Sequence, residues 1–371
     1  MSPKPHRESV RELAEWTPSH GVLSVYVAVD PTDRGEGWRI DLRNELDAVA
    51  NGQDEGLLRI AADRVLDRFP TEEPHAFGLT RVGFVEVSKK PGREQWLSLQ
   101  MSMPRTVVSH APRPQLRPLI ALLDDGRPRG VAAISAERVR LLRWEMGALE
   151  ELDDWTIEIF SLDWRERKAQ RPGDPARVQG AKASGRDQHD QRLEHNRDRF
   201  LKEAGRLAAE HIKPPDAEIL VFGDPAHARE FASGAGERAR HCSESNIISM
   251  PLAELSDLVT DAVAELNRTR EMELAKQVKA EAAGGSRAAA GPQETLQALD
   301  EGRVEHLLYD STREVSLDPR EAPAPTGGNN LSLGEHMVGL ALATGAHITP
   351  VEGEAAEALD EVGGVAALLR Y

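Results

Sequence analysis

The chain has 371 residues and a net charge of −16, so it is too long for one typical core and carries no overall excess of basic residues. Because domains usually hold about 100–150 residues, this length predicts two or three of them. Apolar residues make up 40% and charged residues 29%, which excludes a disordered or fibrous chain. No stretch approaches the roughly 20 apolar residues of a membrane span, and the single Cys242 fits a reducing compartment, so we expect a soluble cytoplasmic protein.

The first part of the chain predicts an α/β domain over residues 1–129. The β-branched run at 22–29 predicts a buried strand, and Asp30-Pro31 directly after it predicts the turn that ends this strand. The other predicted elements are helices at 42–49, 57–66 and 113–123 and strands at 83–87 and 96–101. The glycine- and proline-containing sequence at 125–130 predicts the end of the domain.

Residues 130–284 predict a second α/β domain that begins with a hairpin, 130–135 and 139–144. A long polar and basic stretch at 163–190 follows and lacks apolar periodicity. A loop of that length inside a compact domain is usually functional or disordered. The remaining predicted elements are a strand at 155–160, a helix from Gln191, strands at 217–222 and 246–250, and a helix at 252–282.

Residues 292–371 predict a third, smaller α/β domain after a glycine- and alanine-rich linker at 284–292. Its predicted elements are helices at 293–300, 331–344 and 355–361 and strands at 304–309, 346–351 and 365–370. The predicted fold class is therefore α/β, with three α/β domains.

Three stretches of this sequence together carry a family resemblance. They are the strand at 23–27, the hairpin at 130–144 with its basic loop and long helix, and the segment 302–308 combined with the Gly-Gly-small-apolar-Leu-Arg-Tyr ending at 363–371. They resemble the bacterial branch of the archaeo-eukaryotic class I peptide chain release factor and Pelota superfamily. The resemblance implies that the third domain has the fold of a kink-turn-binding ribosomal protein. From physical reasoning alone, Gly363 and Gly364 need only a structural role, in turning a helix into the last strand.

Two motifs of that superfamily are missing here. Release factors hydrolyse peptidyl-tRNA with a Gly-Gly-Gln motif at the tip of the middle-domain loop. The corresponding region, 180–190, keeps only Gly185 and Gln188 as a degenerate echo. The Asn-Ile-Lys-Ser motif that reads stop codons is also missing, and its nearest string, at 245–249, lies in the middle domain. We therefore expect no stop-codon reading.

Among relatives without both motifs, the resemblance is to Balon-like ribosome hibernation factors of the stress response. These occupy the vacant A site of idle ribosomes and can be accompanied by elongation factor Tu. The resemblance thus implies a ribosome-binding translation inhibitor that is not an enzyme. One alternative is a peptidyl-tRNA hydrolase, acting as a rescue or release factor with Gln188 as its catalytic residue. Another is a nuclease acting on tRNA.

The basic loop and the start of the following helix are the predicted rRNA-binding site. Residues 164–206 carry 12 Lys and Arg against 7 Asp and Glu, whereas residues 281–371 carry 5 against 15. Arginine and lysine pair with phosphates, and guanidinium groups also stack on bases. Without the family resemblance, a solvated surface loop is the more common explanation of such a segment. The predicted contacts are Arg165, Arg167, Lys168, Arg171, Arg177, Lys182, Arg186, Gln188, His189, Arg192, Arg197 and Arg199.

Other constellations predict no cofactor. Of His189, Asp190, Glu194 and His195, only Asp190 and Glu194 share a helical face, so we expect no metal site. The chain has no phosphate-binding glycine loop, so we expect no bound nucleotide. A loop residue such as His189 or Gln188 could still polarise water near an ester. The acidic third domain favours either a protein partner or simple solubility.

Overall fold

The computed structural model describes residues 7–30, 37–51, 55–69, 78–157, 185–244, 247–285, 287–316 and 332–371. The chain groups into two compact units, one drawn from the spans 1–126 and 264–371 and the other from 127–263. Three sheets with helices packed on them confirm the α/β fold class. The division into three domains at 1–129, 130–284 and 292–371 stays a prediction.

The first sheet consists of four antiparallel strands in the order β3-β2-β1-β4. Its strands are β1 (Val22–Ala28), β2 (Thr80–Glu86), β3 (Glu94–Leu99) and β4 (Val107–Ala111). The helices of this region are α1 (Arg7–Ala14), α2 (Gly37–Ala50), α3 (Glu55–Asp67) and α4 (Arg117–Asp125). The apolar stripes of α2 and α3, with Leu42 and Leu58 among them, pack against the buried side chains of β1. The prediction that β1, α2 and α3 bury their apolar residues is therefore confirmed. Strand β4 was not predicted.

The second sheet lies in the other compact unit and has the order β7-β6-β5-β8-β9. Its strands are β5 (Arg129–Ile134), β6 (Arg138–Glu145), β7 (Ala148–Thr156), β8 (Ile219–Phe222) and β9 (Ala239–Ser243). Strands β5, β8 and β9 run parallel, whereas β6 and β7 continue from β5 as an antiparallel meander. The helices of this unit are α5 (Gly185–His211) and α6 (Pro225–Ala235). Helices α5 and α6 cover one face of this mixed sheet, where alternate apolar residues of the central strands, such as Leu141 and Val221, are buried.

Two details of this unit differ from expectation. Helix α5 begins at Gly185, inside the predicted loop 163–190, since a polar sequence can still form an exposed helix when its acidic residues lie near the positive N-terminal end. The strand expected at 246–250 is wrong, because Ile247–Met250 forms a turn and the strand is β9. β9 is an edge strand that alternates only weakly in hydrophobicity, so no pattern marked it.

The third sheet has the order β10-β13-β11-β12, with β11 and β12 parallel and the other pairs antiparallel. The strands are β10 (Ala288–Ala290), β11 (Val304–Asp310), β12 (His347–Val351) and β13 (Val365–Leu369). The helices are α7 (Leu252–Ala283), α8 (Pro292–Asp300), α9 (Leu333–Thr344) and α10 (Gly353–Glu357). Strand β10 lies in the stretch expected to be a linker. Gly363 and Gly364, just before β13, both have φ near +75°, which glycine adopts without strain, so their predicted turn role is confirmed.

The first and last parts of the chain join within their common unit through Arg117 and Glu335. The Glu335 carboxylate accepts hydrogen bonds from the backbone N–H groups of Leu116 (2.9 Å) and Arg117 (3.0 Å), at the N-terminus of α4. The Arg117 guanidinium donates to the carbonyl oxygens of Asp310 (3.1 Å) and Arg313 (2.7 Å). A carboxylate thus satisfies helix donors that α4 could not pair internally, while an arginine is held by carbonyl groups.

Candidate functional site

The second compact unit contains the described part of the predicted site. Six of the predicted contact residues lie outside the described residues: Arg165, Arg167, Lys168, Arg171, Arg177 and Lys182. Four lie on the first turns of α5, where the structure describes only the backbone: Arg186, Gln188, His189 and Arg192. Arg197 and Arg199 lie further along the same helix and are described with their side chains.

Helix α5 changes character near its middle. Between Leu193 and Arg199 the side chains are exposed, apart from a partly buried Arg197, and Leu193 itself retains 43% exposure. From Phe200 onward the helix buries one face, with Phe200 and Ala204 both fully enclosed in the core against the sheet. The second half of α5 therefore anchors the helix, and residues 193–199, the exposed segment of α5, present their side chains to solvent.

The exposed segment of α5 lies at the ends of strands β5 and β6, next to the turn that joins them. Glu137 in this turn forms an ion pair with Arg197 at 3.7 Å, and both side chains are substantially exposed. The carbonyl oxygen of Glu137 accepts a hydrogen bond from the backbone N–H of Ile157, which directly follows β7. The residue that precedes the stretch 158–184 and the helix that follows that stretch are thus tied to the same turn.

Most other cations near this turn are committed to neighbouring groups. Arg138 donates to both carboxylate oxygens of Asp154, at 2.8 and 2.6 Å, and these bonds lower the pKa of Asp154. Arg140 is buried and donates to Glu151 and to the carbonyl oxygens of Ile248 and Met250. These arginines of β6 hold the sheet together, whereas Arg197 of α5 forms only a 3.7 Å ion pair with the exposed Glu137 among the described residues, so Arg197 is the better ligand for phosphate.

Asp224 lies at the carboxyl end of β8, where α6 begins, and it has a structural role there. Asp224 caps this helix by accepting hydrogen bonds from the backbone N–H groups of Ala226 (2.8 Å) and His227 (3.3 Å). These donors lower the pKa of Asp224, because they stabilise its ionised form. Burial raises the pKa of the Cys242 thiol on β9 to about 11, which keeps it protonated at neutral pH.

Among the residues that the structure describes, no three His, Cys, Asp or Glu side chains are arranged to hold a metal ion. In the same described ranges, every helix is too short or too polar to cross a lipid bilayer. Sequence reasoning missed the pairing of Arg197 with Glu137. Only the tertiary contact of α5 with the β5–β6 turn brings these two residues together.

The middle of the chain, residues 114–268, matches the family described as bacterial archaeo-eukaryotic release factor family 10. This range includes the whole second sheet, α5 and the stretch 158–184. The chain matches no curated protein at a significant level.

Three solved structures resemble the chain. An archaeal translation termination factor, aRF1, is 19% identical with 98% of this chain and 96% of that one covered, at a TM-score of 0.25. Archaeoglobus fulgidus Pelota is 18% identical with 79% of each chain covered, at a TM-score of 0.34. Ribosome-bound archaeal Pelota with ABCE1 is 15% identical with 79% and 77% covered, at 0.41.

Proposed function

We propose, from the match of residues 114–268 to bacterial archaeo-eukaryotic release factor family 10, that this protein is a ribosome-binding translation factor. The family match confirms the resemblance to the release factor and Pelota superfamily. The resemblance to that superfamily implies a protein that binds the ribosome. The ribosome is therefore the first partner to test.

Within this class we propose that the protein occupies the A site of idle ribosomes and inhibits translation by occupancy, as hibernation factors do. The absence of a Gly-Gly-Gln motif from the sequence supports occupancy over peptide release. The missing Asn-Ile-Lys-Ser motif argues against recognition of stop codons. Elongation factor Tu is a proposed companion on the ribosome, on the strength of the family resemblance alone.

The observation that carries the proposal is the exposed segment of α5, residues 193–199, which continues a basic stretch of the sequence. Arg197 and Arg199 lie in this segment, and among the described residues Arg197 is held by a 3.7 Å ion pair with the exposed Glu137. Exposed ion pairs of this length contribute about 0–1 kcal/mol, so a phosphate can replace Glu137 at little cost. We propose that residues 165–199 contact rRNA near the peptidyl-transferase centre and that the first domain contacts the decoding site.

The competing proposal is hydrolysis of peptidyl-tRNA, with Gln188 in the place of the family glutamine. Gln188 lies on the first turns of α5, and Gly185 begins that helix. Cleavage of tRNA itself is the third possibility. Both enzymatic proposals predict turnover, whereas occupancy predicts stable binding without product.

The test incubates the purified protein with vacant ribosomes and with ribosomes that carry peptidyl-tRNA, and measures co-sedimentation and peptide release in the same samples. Occupancy predicts binding to vacant ribosomes with no peptide or tRNA fragment released. Release that is lost on Gln188→Ala would instead establish hydrolysis. Absence of binding to either ribosome would overturn both proposals.

The binding surface is tested by reversing Arg171, Arg177 and Arg199 to glutamate. Each lost phosphate contact weakens binding by about fivefold to tenfold, so the triple variant should lose co-sedimentation at moderate salt. The matched control reverses three exposed cations of the same unit that lie outside this segment: Lys213, Arg229 and Arg240. Equal loss in the control and the test variant would show that only net charge matters and would remove residues 165–199 from the proposed site.

A further inference from the structure

A cavity of about 330 Å³ lies in the first compact unit and is lined by residues of the spans 11–17, 113–116 and 335–343. It is bordered by α1, by the segment that precedes α4 and by α9. Its apolar lining includes Leu116 and Leu340, and charged groups surround it. A volume near 300 Å³ is at the lower end of pockets that hold small molecules.

The charged groups that border the cavity are unequally committed. In the described part of the chain, the side chains of Arg113 and His336 make no hydrogen bond or ion pair, although both line the cavity. The carboxylate of Glu335, by contrast, is occupied by the backbone N–H groups at the start of α4. Among the remaining lining groups, Glu15 is the one carboxylate that is exposed. Arg113 and His336 are therefore the lining groups that can donate to an anion, and Glu15 is the exposed carboxylate that such an anion would have to avoid.

A second arginine is fixed in place at the same cavity. The Arg11 guanidinium of α1 donates to the carbonyl oxygens of Leu342 (3.1 Å) and Ala343 (3.2 Å), in the last turn of α9. A cation at a helix C-terminus satisfies carbonyl groups that have no partner within the helix. This contact holds α1 against α9, so the cavity has a rigid wall that does not depend on a ligand.

Gly339 leaves the cavity open from the α9 side. This residue lies within the helix and lines the cavity, and a Cβ placed on it would meet no atom within 4 Å. A glycine inside a helix costs about 1 kcal/mol relative to alanine, so nothing in the helix itself favours it here. Gly339 also provides a means of filling the cavity without displacing its walls.

We propose that this cavity is a binding site for a small amphipathic anion, with an acidic group held by Arg113 and His336 and an apolar body against Leu116 and Leu340. The ligand class is a carboxylate, sulfonate or phosphate on an apolar body about the size of two aromatic rings. Binding would join α9 to the segment before α4, and it would stabilise the unit by mass action. The residues that line this site are distinct from residues 165–199, which are proposed to contact rRNA.

The test uses anilinonaphthalene sulfonate as the anionic probe and phenylnaphthylamine, which has no sulfonate, as its uncharged counterpart. Fluorescence titration of the full chain should give one saturable site for the sulfonate and weaker binding of the uncharged probe. Because Arg113→Gln removes a charge-assisted hydrogen bond, it should weaken the affinity for the sulfonate by about tenfold or more. The affinity for phenylnaphthylamine should change little.

Gly339→Leu should abolish binding of both probes, because the new side chain fills the cavity. The matched control is Gly56→Leu, at an exposed glycine of α3 whose Cβ would also meet no atom within 4 Å. Thermal unfolding of each variant checks that the fold is intact. If Gly339→Leu does not fold, the Arg113→Gln comparison between the two probes still decides the matter. Sulfonate binding that survives Arg113→Gln, or that involves several weak sites, would overturn the proposal.

Discussion

Two carboxylates in the last part of the chain are buried, and each accepts hydrogen bonds from backbone N–H groups that partly compensate for the loss of water. Glu335 serves the N-terminus of α4, and Glu271 on α7 accepts from the N–H of Glu352 at 3.2 Å. Burial raises the pKa of both, and the hydrogen bonds offset only part of that effect. For Glu271 the pKa rises from 4.5 to about 7, with the negative charge of Asp125 contributing.

Glu271 therefore predicts a pH-dependent stability. Because its pKa is higher in the folded chain, its contribution to stability is complete below pH 4.5 and is lost as the pH rises through about 7. After allowance for solvent screening, the loss is roughly 1–2 kcal/mol. Glu271→Gln keeps an acceptor for the Glu352 N–H but carries no charge. Urea unfolding between pH 5 and pH 8 should show a smaller decline for this variant than for the parent chain.

Glu273→Gln is the control for this experiment, since Glu273 is exposed on the same helix. It should follow the parent chain across the whole pH range. Parallel curves for the parent chain and Glu271→Gln would contradict the proposed titration.

The packing of α5 on α6 depends on two glycines at the point where the helices come closest. A Cβ on Gly205 would collide with the carbonyl oxygen of Phe231, and a Cβ on Gly234 would collide with that of Lys202. Both obstacles are backbone atoms, which cannot rotate away as a side chain could. The two helices can therefore approach this closely only with glycine at both positions.

Gly205→Ala should lower the free energy of unfolding by about 1–3 kcal/mol, the usual cost of overpacking. Helix propensity alone would predict the opposite sign. The comparison is Gly339→Ala on α9, where the added methyl group meets open space and should stabilise by roughly 0.5–1 kcal/mol. Thermal unfolding followed by circular dichroism would measure both variants, and stabilisation by Gly205→Ala would refute the close approach.

The elements that the sequence predicted well are those with strong apolar periodicity. The buried run of β1 and the spaced leucines of α2 and α3 encode their burial directly. Strand β9 was misplaced because an edge strand with Arg240 and His241 lacks that signal. Likewise, no local pattern could indicate that Glu137 would pair with Arg197, or that Arg113 and His336 would meet at one cavity. Such pairings depend on contacts distant in sequence.

At the scale of the whole molecule, charge is unevenly distributed along the chain. Residues 164–206 hold an excess of 5 positive charges, residues 281–371 an excess of 10 negative ones, and the total is −16. A protein with this net charge is repelled by a polyanion at long range. Binding to RNA must then come from the local basic segment and must be sensitive to screening.

The proposed ribosome contact therefore predicts a steep salt dependence. A plot of the logarithm of the binding constant against that of the salt concentration should have a negative slope of about 0.7–0.9 per phosphate contact. Arg199→Glu should reduce that slope by about one contact, whereas Arg229→Glu, on α6, should leave it unchanged. Co-sedimentation with ribosomes across a potassium chloride series would measure both slopes. A slope near zero for the parent chain would refute binding through phosphates.

The joining of α4 to α9 also bears on how the chain matures during synthesis. Translation proceeds from the N-terminus, and Glu335 is made 218 residues after Arg117. The Glu335 carboxylate accepts a hydrogen bond from the backbone N–H of Arg117. The span 127–263, which forms a compact unit by itself, is complete well before Glu335 leaves the peptidyl-transferase centre. The nascent chain can thus fold residues 127–263 first. The backbone N–H groups at the start of α4 gain their carboxylate partner only after Glu335 has been synthesised.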